Sequence, residues 1–308
     1  MRLAIDALGN TSGGGVTVLY ELLLAVRSVP ELEEIILFTS PGACLRMDAS
    51  ISGRVRAVDV PQAASHWGRL CWALAGLRRR LVRMDVDAFL GLNGIGVVAA
   101  QIPSLVFIQQ PVPYSLESLR RFPLIMRIRM AVIRYITGRS ARCADHVFVQ
   151  TEVMRRTIAQ AYSIQPRSIA TFMPRAPVLP DPAVDSQSLR RFQRNAPQGT
   201  VLYVGSDSPH KNLSVVSDGL EAISASRRPQ WYVTLPPESA YCRRGGAIAL
   251  GYLTRAELHE AYRRATLVVM PSWTETVGLP MLEAMRVGTP VLAADRPYAH
   301  EVCEDAAC

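Results

Sequence analysis

The stretch PSWTETVGLPMLEAMRVGTPVLAAD, residues 271–295, decides the fold that the sequence predicts. The apolar run LVVM (267–270) comes before it and PVLAAD (290–295) ends it, and both have the length and composition of buried strands. Pro280 suits the first turn of a helix and Gly288 suits its end, so we predict a short helix over roughly 280–287 between the two strands. A strand, a helix and a second strand in this order form a crossover that joins two parallel strands.

The start of this helix is predicted to face a ligand. Open parallel sheets bind their ligands at the edge where the strands have their carboxyl ends. The first amides of the helix, including those of Gly278 and Leu279, would point out from this edge and favour an anionic group. Glu275 and Glu283 flank the same place, although a glutamate in a first helical turn can equally serve only to stabilise the helix dipole.

Strand-like and helical runs alternate along both halves of the 308-residue chain. This alternation predicts an α/β fold with doubly wound, mostly parallel sheets. The segment PRAPVLPDPAVD (174–185) contains four prolines and is the clearest linker candidate. We therefore predict a Rossmann-like domain over 1–175, a linker region over 176–198 and a second Rossmann-like domain over 199–308. The last eight residues directly follow a strand, so we expect the second domain to be incomplete.

The composition argues against several classes of protein. The content of hydrophobic residues, 49%, suffices for two globular cores, and no run reaches the roughly 20 apolar residues of a membrane-spanning helix. The N-terminus lacks the cleavage site of a signal peptide. The six cysteines show no metal-binding spacing, which predicts no metal site and suits a reducing cytosol. The arginines lack the interleaved aromatic residues of a nucleic-acid module, so we expect no nucleic-acid partner.

Lys211 is the only lysine among 34 basic residues in a chain of net charge +8. A compact ammonium group that fits a phosphate pocket would resist replacement by arginine, although one lysine can also remain without a role. Lys211 follows a strand-like run that ends at Gly205, and it lies directly before a helix that Asn212 can cap. Because an ammonium group beside free helix amides makes a phosphate site, these neighbours favour a functional role.

A glycine-rich loop, GNTSGGGV (9–16), connects the first strand to a helix from about residue 16. Consecutive glycines let the backbone approach a phosphate or sugar closely, which makes Gly14 and Gly15 binding candidates. The spacing is not GxGxxG, and an isolated glycine-rich turn is more often structural than functional.

Three elements together resemble glycosyltransferase family 4, whose members are retaining enzymes of GT-B fold: YVGSDSPHKNL, the GGG loop, and LGYLTRAELHEAYRRATLVVMPSWTETVGLPMLEAMRVGTPVLAADRPYAHEV. The resemblance is nearly continuous over 201–302, and in the N-terminal half it is confined to the glycine loop and general topology. It implies two Rossmann-like domains facing each other across a cleft. It also implies a nucleotide sugar held mainly by the C-terminal domain, an acceptor held mainly by the N-terminal one, no cofactor and no obligatory metal.

The resemblance implies roles for individual residues. Glu275 and Glu283 correspond to the family's two glutamates separated by seven residues. Glu275 would lie by the donor sugar, Glu283 would accept hydrogen bonds from the ribose hydroxyls, and Lys211 would neutralise the diphosphate, so that Lys211 and Glu275 are the catalytic candidates. The other candidates for donor binding are Gly278, Leu279, Gly205, Ser206, Gly14 and Gly15.

Two departures from the family pattern affect these roles. Ser206 stands where many members have an arginine after the strand glycine, so diphosphate binding would depend more on Lys211. Gln109 and Gln110 lie where many members have a histidine near the reacting centre. Because a glutamine can hydrogen-bond a sugar hydroxyl but cannot transfer a proton, we expect these two residues to position the acceptor.

The segment SLRRFPLIMRIRMAVIRYITGRSAR (118–142) carries seven arginines among apolar residues and predicts one helix over about 117–142. A basic amphipathic helix can lie on anionic lipid, but a half-buried helix with its arginines in water has the same composition. We therefore expect a cytoplasmic protein, with peripheral binding to the inner face of the plasma membrane as a hypothesis.

The sequence thus predicts a retaining glycosyltransferase that moves a hexose from a nucleoside diphosphate sugar to a carbohydrate or lipid-linked acceptor, in polysaccharide or glycolipid biosynthesis. A phosphorylase-like enzyme of the same fold is disfavoured, because Lys211 suits a diphosphate better than a Schiff-base cofactor. The alternative is a non-catalytic module of the same fold that binds a sugar nucleotide or a membrane.

Overall fold

Alternating strands and helices form two units in the computed structural model of the protein. The structure describes residues 1–10, 13–26, 28–40, 53–64, 66–96, 102–175, 180–181, 189–192 and 196–307. The first unit comprises Met1–Tyr114 and Ile125–Pro174, and the second comprises Ser115–Leu124 and Arg175–Cys308. Residues 115–124 were predicted to belong to the N-terminal domain, whereas here they group with the second unit and their side chains pack on its loops.

The elements follow one another in the order that the sequence suggests, with parallel strands separated mostly by helices. In chain order they are β1 (Arg2–Asp6), α1 (Gly13–Val26), β2 (Glu34–Thr39), β3 (Val55–Asp59), α2 (His66–Cys71), α3 (Leu77–Arg83), β4 (Ala88–Gly91), β5 (Ser104–Ile108), α4 (Leu116–Arg120), α5 (Leu124–Cys143), β6 (His146–Val149), α6 (Glu152–Tyr162), β7 (Ile169–Thr171), β8 (Thr200–Tyr203), α7 (Leu213–Glu221), β9 (Gln230–Val233), α8 (Ala240–Arg243), β10 (Ile248–Ala249), α9 (Arg255–Arg264), β11 (Leu267–Met270), α10 (Leu279–Arg286), β12 (Val291–Ala293) and α11 (Pro297–Cys303). A π-helical turn, Trp72–Gly76, joins α2 to α3.

Both units are built on a parallel sheet. The first has seven strands in the order β3-β2-β1-β4-β5-β6-β7, and the second has five in the order β10-β9-β8-β11-β12. Every strand pair described in these sheets is parallel. This agrees with the predicted α/β fold class.

Side chains of the strands alternate between the two faces of each sheet, and both faces are covered. In β8, Leu202 packs in one core cluster with Tyr262 and Met281 from α9 and α10. Its neighbours Val201 and Tyr203 pack on the opposite face, in a second cluster. A parallel sheet buried on both sides explains why these strands are apolar throughout.

Each sheet has one place where the strand order reverses. In the first unit the chain moves outward from β1 through β2 to β3 and then returns to β4 on the other side of β1. In the second unit it moves from β8 through β9 to β10 and returns to β11. The loops that leave the two strands at such a point diverge and open a crevice at the carboxyl edge, which is where open α/β folds bind ligands.

The 271–295 stretch folds as predicted, with β11 before it and the strand β12 near its end. The helix expected between them is α10, which begins at Leu279 and ends at Arg286. Gly278 caps its start with a φ of 73°, and Gly288 follows its end with a φ of 78°. Both glycines therefore occupy left-handed backbone positions that other residues disfavour.

The glycine-rich loop is shorter than predicted. Helix α1 begins at Gly13, so Gly14 and Gly15 lie in its first turn and not in a loop. The side-chain amide of Asn10 donates to the Gly15 carbonyl oxygen at 3.0 Å and ties this first turn to the end of β1. First-turn amides have no partner inside a helix, so glycines at this position leave several backbone N–H groups accessible.

The arginine-rich segment forms two helices, not the single helix that was predicted. Helix α4 ends at Arg120, and α5 begins at Leu124, directly after Pro123. Proline has no N–H to donate, and it disfavours the helical conformation in the residue before it, which here is Phe122. The break separates a short helix of the second unit from a long one that continues into the first unit.

Gly91 is expected to be essential for the packing at the end of β4. A Cβ atom at this position would lie 1.7 Å from the carbonyl oxygen of Ile95, which is backbone and cannot turn away. We expect Gly91→Ala to lower the free energy of unfolding by at least about 2 kcal/mol.

Thermal unfolding of Gly91→Ala beside Gly219→Ala tests this. Gly219 lies in α7, and a Cβ atom there meets nothing within 4 Å. The control should therefore be unchanged or more stable by up to about 1 kcal/mol, since alanine favours helix. Equal unfolding midpoints for the two variants would contradict the expectation.

Candidate functional site

The second unit brings Lys211 and Glu275 into direct contact at its strand-order reversal. Lys211 follows β8 at the end of a 3₁₀ turn, Pro209–Lys211, and Glu275 lies in the loop after β11. The Lys211 Nζ atom is 2.6 Å from the Glu275 Oε1 atom, and the two side chains are 17% and 11% exposed. The ion pair therefore bridges the two loops that open the crevice, and water reaches only a small part of it.

Glycine is required at the start of α10, beside Glu275. Gly278 has a φ of +73°, which residues with a side chain rarely adopt, and a Cβ atom there would also displace the Met281 Cε atom, which would be 2.8 Å away. Because Gly278 is the N-cap of α10, its amide and that of Leu279 precede the first helical hydrogen bonds. The helix start is thus held close to the sheet edge, as an anion-binding helix terminus requires.

Glu283 is held by a tyrosine. It lies in α10 with 7% of its surface exposed, and its Oε2 atom accepts a hydrogen bond from the Tyr262 hydroxyl at 2.7 Å. Burial raises the pKa of Glu283 above its ordinary value, while the bond from Tyr262 and the nearby Arg255 act in the opposite direction. One carboxylate oxygen is therefore fixed by the protein in a poorly solvated position.

The turn after β8 is fixed by its own hydrogen bonds. The amide of Gly205 donates to the Thr234 Oγ1 atom at 3.0 Å, and the hydroxyl of Tyr203 donates to the Ser206 carbonyl oxygen at 2.6 Å. A Cβ atom on Gly205 would lie 2.7 Å from the Tyr203 hydroxyl, so this turn also depends on glycine. The Ser206 side chain is exposed and donates to Ser208.

The remaining predicted residues, Gly14, Gly15, Gln109 and Gln110, lie in the first unit. Gln109 follows β5, and its side-chain amide donates to the Leu92 carbonyl oxygen at 2.9 Å, so part of its hydrogen-bonding capacity is already used. Gln110 is exposed. The predicted residues thus fall into two groups, one in each unit.

Asn93 is a polar residue of the first unit that sequence reasoning missed. It follows β4, the strand that returns beside β1, and its buried Nδ2 atom has no hydrogen-bond partner among the described residues. Its amide group lies against Gly9, where a Cβ atom would come within 3.0 Å of it. Its position just after a strand could have identified Asn93 from the sequence as a candidate site residue.

Three further polar residues lie within three positions of Lys211 or Glu275 and were not among the predicted site residues. The His210 Nδ1, Ser272 Oγ and Trp273 Nε1 atoms are buried, and within the described part of the chain they have no hydrogen-bond partners. Burial, together with the neighbouring Lys211, lowers the pKa of His210 to about 4, so its ring is neutral at physiological pH. Their adjacency in sequence to the two charged residues could have identified them.

No group of three or more His, Cys, Asp or Glu side chains within the described residues is arranged to hold a metal ion. The predicted site residues of the second unit provide an ammonium group, two carboxylates and the first amides of α10. This combination can accept an anionic group and several hydroxyl groups at the same time.

The C-terminal part of the chain is similar to known proteins of one family. Residues 198–307 match the family described as "Glycosyl transferases group 1". O-antigen chain mannosyltransferase RfbU of Salmonella typhimurium strain LT2 is 26% identical over 189 residues, which are 58% of this chain and 50% of that protein. O-antigen chain mannosyltransferase B of Escherichia coli is 29% identical over 147 residues, 44% of this chain and 37% of that protein. The chain thus spans half or less of the length of these two relatives.

Solved structures give the fold. The crystal structure of WaaG, a glycosyltransferase involved in lipopolysaccharide biosynthesis, superimposes with a TM-score of 0.74 at 17% identity, over 98% of this chain and 84% of that one. Anabaena HepE, in complex with UDP and glucose, gives a TM-score of 0.60 at 17% identity, over 98% of this chain and 82% of that one. The chain has the GT-B fold of these proteins, and its residues 198–307, which contain Lys211, Glu275 and Glu283, match the group 1 glycosyl transferases.

Proposed function

We propose that the protein is a retaining glycosyltransferase that moves a hexose from a nucleoside diphosphate sugar to a carbohydrate or lipid-linked acceptor in polysaccharide or glycolipid biosynthesis. The observation that carries the proposal is the Lys211–Glu275 ion pair at the β8/β11 crevice. The relatives named as O-antigen mannosyltransferases and the neighbour that holds UDP and glucose support the same chemistry.

Lys211 and the start of α10 would bind the diphosphate. An ammonium group has three N–H donors, and its bond to Glu275 uses one of them, so two remain for phosphate oxygens. The first amides of α10 add donors and the positive end of a helix dipole. When the sugar–phosphate bond breaks, negative charge collects on the diphosphate, and these groups would stabilise it without a metal ion.

Glu283 and Glu275 would bind hydroxyl groups. Tyr262 occupies one oxygen of the Glu283 carboxylate, which leaves acceptor positions on the other oxygen for the two ribose hydroxyls. Glu275 keeps one oxygen beyond its contact with Lys211 and would accept from the donor sugar. Carboxylates can act beside a phosphate site only if a cation balances their charge, which Lys211 does for Glu275.

Helix α5 carries a surface suited to an anionic membrane. Its exposed apolar residues, which lie on one helical face, are Leu124, Ile125, Ile128, Val132 and Tyr135. Its buried residues are small or polar: Thr137, Gly138, Ser140 and Ala141. An ordinary half-buried helix would have the opposite arrangement. None of the helices that the structure describes is long and apolar enough to cross a membrane.

We therefore include in the proposal that this face of α5 docks peripherally on the inner face of the plasma membrane. The exposed arginines Arg127, Arg139 and Arg142 would attract anionic headgroups, while the apolar side chains enter the interface. The proposal accords with a lipid-linked acceptor, which would be presented at the same surface.

The role of Lys211 predicts that its loss abolishes donor turnover. Thermal shifts with UDP- and GDP-sugars first identify the donor, because a ligand that binds only the folded protein raises its unfolding midpoint. We then expect Lys211→Ala to lower kcat/KM for that donor by about 100-fold or more. Release of the nucleoside diphosphate measures this, and the anomeric configuration of the product tests retention.

Two controls sharpen the experiment. Arg227→Ala removes a charge from an exposed residue of the same unit and should leave turnover within about twofold of wild type. Lys211→Met combined with Glu275→Gln leaves no unpaired carboxylate, so weak diphosphate binding by this variant reports the missing cation itself. Wild-type turnover by Lys211→Ala would overturn the assignment. Binding without turnover by the wild type would favour the non-catalytic module.

The role of Glu283 predicts a pH dependence of nucleotide binding. The ionised carboxylate accepts hydroxyl protons, and burial raises its pKa above the ordinary value. Protonation therefore begins closer to neutral pH than for an ordinary glutamate, and the affinity for the nucleoside diphosphate should fall as the pH is lowered from 8 to 5.

Calorimetric titration of the wild type, Glu283→Gln and Tyr262→Phe between pH 8 and 5 tests whether the affinity falls as the pH is lowered. Glu283→Gln should bind the nucleoside diphosphate more weakly than the wild type, and its affinity should lack the part of the pH dependence that comes from Glu283. Titration of the ligand's own phosphate affects all variants alike. Tyr262→Phe removes the hydrogen bond that lowers the Glu283 pKa, so its loss of affinity should begin at higher pH. Identical pH profiles for the wild type and Glu283→Gln would contradict the role.

Membrane docking predicts that polar substitutions on α5 abolish vesicle binding. We expect the wild type to sediment with phosphatidylglycerol vesicles at low salt and much less with phosphatidylcholine vesicles. Ile125→Asn combined with Ile128→Asn should weaken the binding at least about tenfold. Val215→Asn is the control, since Val215 in α7 is 52% exposed, as Ile128 is. Absence of wild-type binding to the anionic vesicles would overturn the proposal.

A further inference from the structure

We infer that the 115–124 segment, which comes from the N-terminal half of the sequence, positions the two loops that carry Lys211 and Glu275. This inference rests on the proposed function, because it concerns the same nucleotide site. The segment contains α4 and belongs to the second unit. Its contacts go to His210, which directly precedes Lys211, and to Trp273, which lies two residues before Glu275.

Two guanidinium groups lie over the Trp273 ring. The Arg121 Cζ atom is 4.2 Å from the centroid of the Trp273 ring, and the Arg296 Cζ atom is 4.5 Å from it. Arg121 is the C-cap of α4, and Arg296 is the N-cap of α11. Cations on an indole ring are attracted by its π electrons, so both arginines restrict the rotamer of Trp273, two residues before Glu275.

The carboxylate of Glu117, in the same segment, binds the second of these arginines, Arg296. The Arg296 Nη2 atom donates to the Glu117 Oε1 atom at 3.2 Å, and the Arg296 Nη1 atom forms an ion pair with the Glu117 Oε2 atom at 3.1 Å. Such a two-point pair fixes the plane of the guanidinium group. Glu117 therefore orients the arginine that Trp273 contacts, while Arg121 contacts Trp273 directly.

The loop that carries Lys211 also contacts the 115–124 segment. The Phe122 ring stacks on the His210 ring with centroids 6.0 Å apart and an angle of 24° between their planes. The amide of Trp273 donates to the His210 carbonyl oxygen at 2.8 Å, so the two loops are also tied to each other. Lys211 follows His210 directly. The segment thus contacts both loops within two residues of the ion pair.

These contacts order the two loops but contribute little to the free energy of folding of the second unit. Arg121 and Leu116 are exposed, and the Glu117 side chain is 47% exposed, so the segment adds little to the apolar core. Ion pairs and cation–π contacts at such exposed sites contribute little to folding. A ligand site, by contrast, loses affinity when its groups move by about 1 Å. Removal of these contacts should affect nucleotide binding before it affects folding.

The experiment measures the Kd of UDP or GDP, whichever gives the larger thermal shift with the wild type. The full-length variants are Arg121→Gln, Trp273→Leu, their combination, Trp273→Phe and Arg120→Gln. Arg120 is the matched control, because it lies in the same segment and is exposed. Hydrogen exchange of peptides covering 205–212 and 271–279 in the ligand-free proteins provides a second measurement.

We expect Arg121→Gln and Trp273→Leu each to raise the Kd about tenfold and to accelerate exchange in both loops, with unfolding midpoints close to wild type. Trp273→Phe should restore most of the affinity, because it keeps an aromatic ring. Arg120→Gln should bind like the wild type. The double variant should be no worse than Trp273→Leu alone, since Arg121 acts through Trp273.

Three outcomes would overturn the inference. One is wild-type affinity and exchange in both Arg121→Gln and Trp273→Leu. A second is additive losses in the double variant, which would show that Arg121 contacts the phosphate itself. A third is a lower unfolding midpoint without a change in Kd, which would show a purely structural role. If no nucleotide binds even the wild type, the proposed function fails, and loop exchange alone then decides whether the segment positions the loops.

Discussion

A parallel sheet that extends in both directions from its first strand must contain a place where the connections on either side diverge. Both sheets of this protein have such a place, β1/β4 in the first unit and β8/β11 in the second. Because the crossovers diverge there, loops border the sheet edge, and polar residues of both candidate sites lie in them. Lys211 and Glu275 in one unit and Asn10 and Asn93 in the other all follow strands that border a reversal.

The ion pair in the second crevice is better understood as preparation for a ligand than as a source of stability. Withdrawing two charges from water costs free energy that their attraction often fails to offset. What the pair does achieve is to hold a long flexible side chain in place before a ligand arrives. Fixing a lysine side chain costs roughly 2 kcal/mol of rotamer entropy, and here that cost falls on folding instead of binding. The glycine at position 278 and the turn at 203–206 hold the surrounding backbone in the same way.

Local chemistry allowed much of the fold to be predicted, whereas contacts between distant segments could not be. Pro280 and Gly288 act within one turn of their own positions, and the helix between them was predicted to within a residue. The break at Pro123 was visible in the sequence too, but the surrounding apolar and arginine residues suggested one continuous helix. By contrast, Lys211 and Glu275 are separated by 64 positions, and Tyr262 holds Glu283 across 21. Nothing local in the 115–124 segment indicates that it packs with residues 210, 273 and 296.

The chemistry of the pair explains why the one lysine of the chain stands at this position. An arginine opposite Glu275 would form a two-point contact that occupies both carboxylate oxygens and aims its remaining donors along one plane. The ammonium group of Lys211 uses a single contact at 2.6 Å, so one Glu275 oxygen stays open to hydroxyl groups and two N–H donors stay open to an anion. Lys211 also lies next in the chain to the half-buried His210, whose lowered pKa of about 4 keeps the ring neutral, so that His210 adds no second positive charge. The proposed function requires a diphosphate and a sugar to bind side by side, which needs this separation of donors from acceptors. It would explain why a chain whose other basic residues, histidine aside, are arginines has its single lysine here.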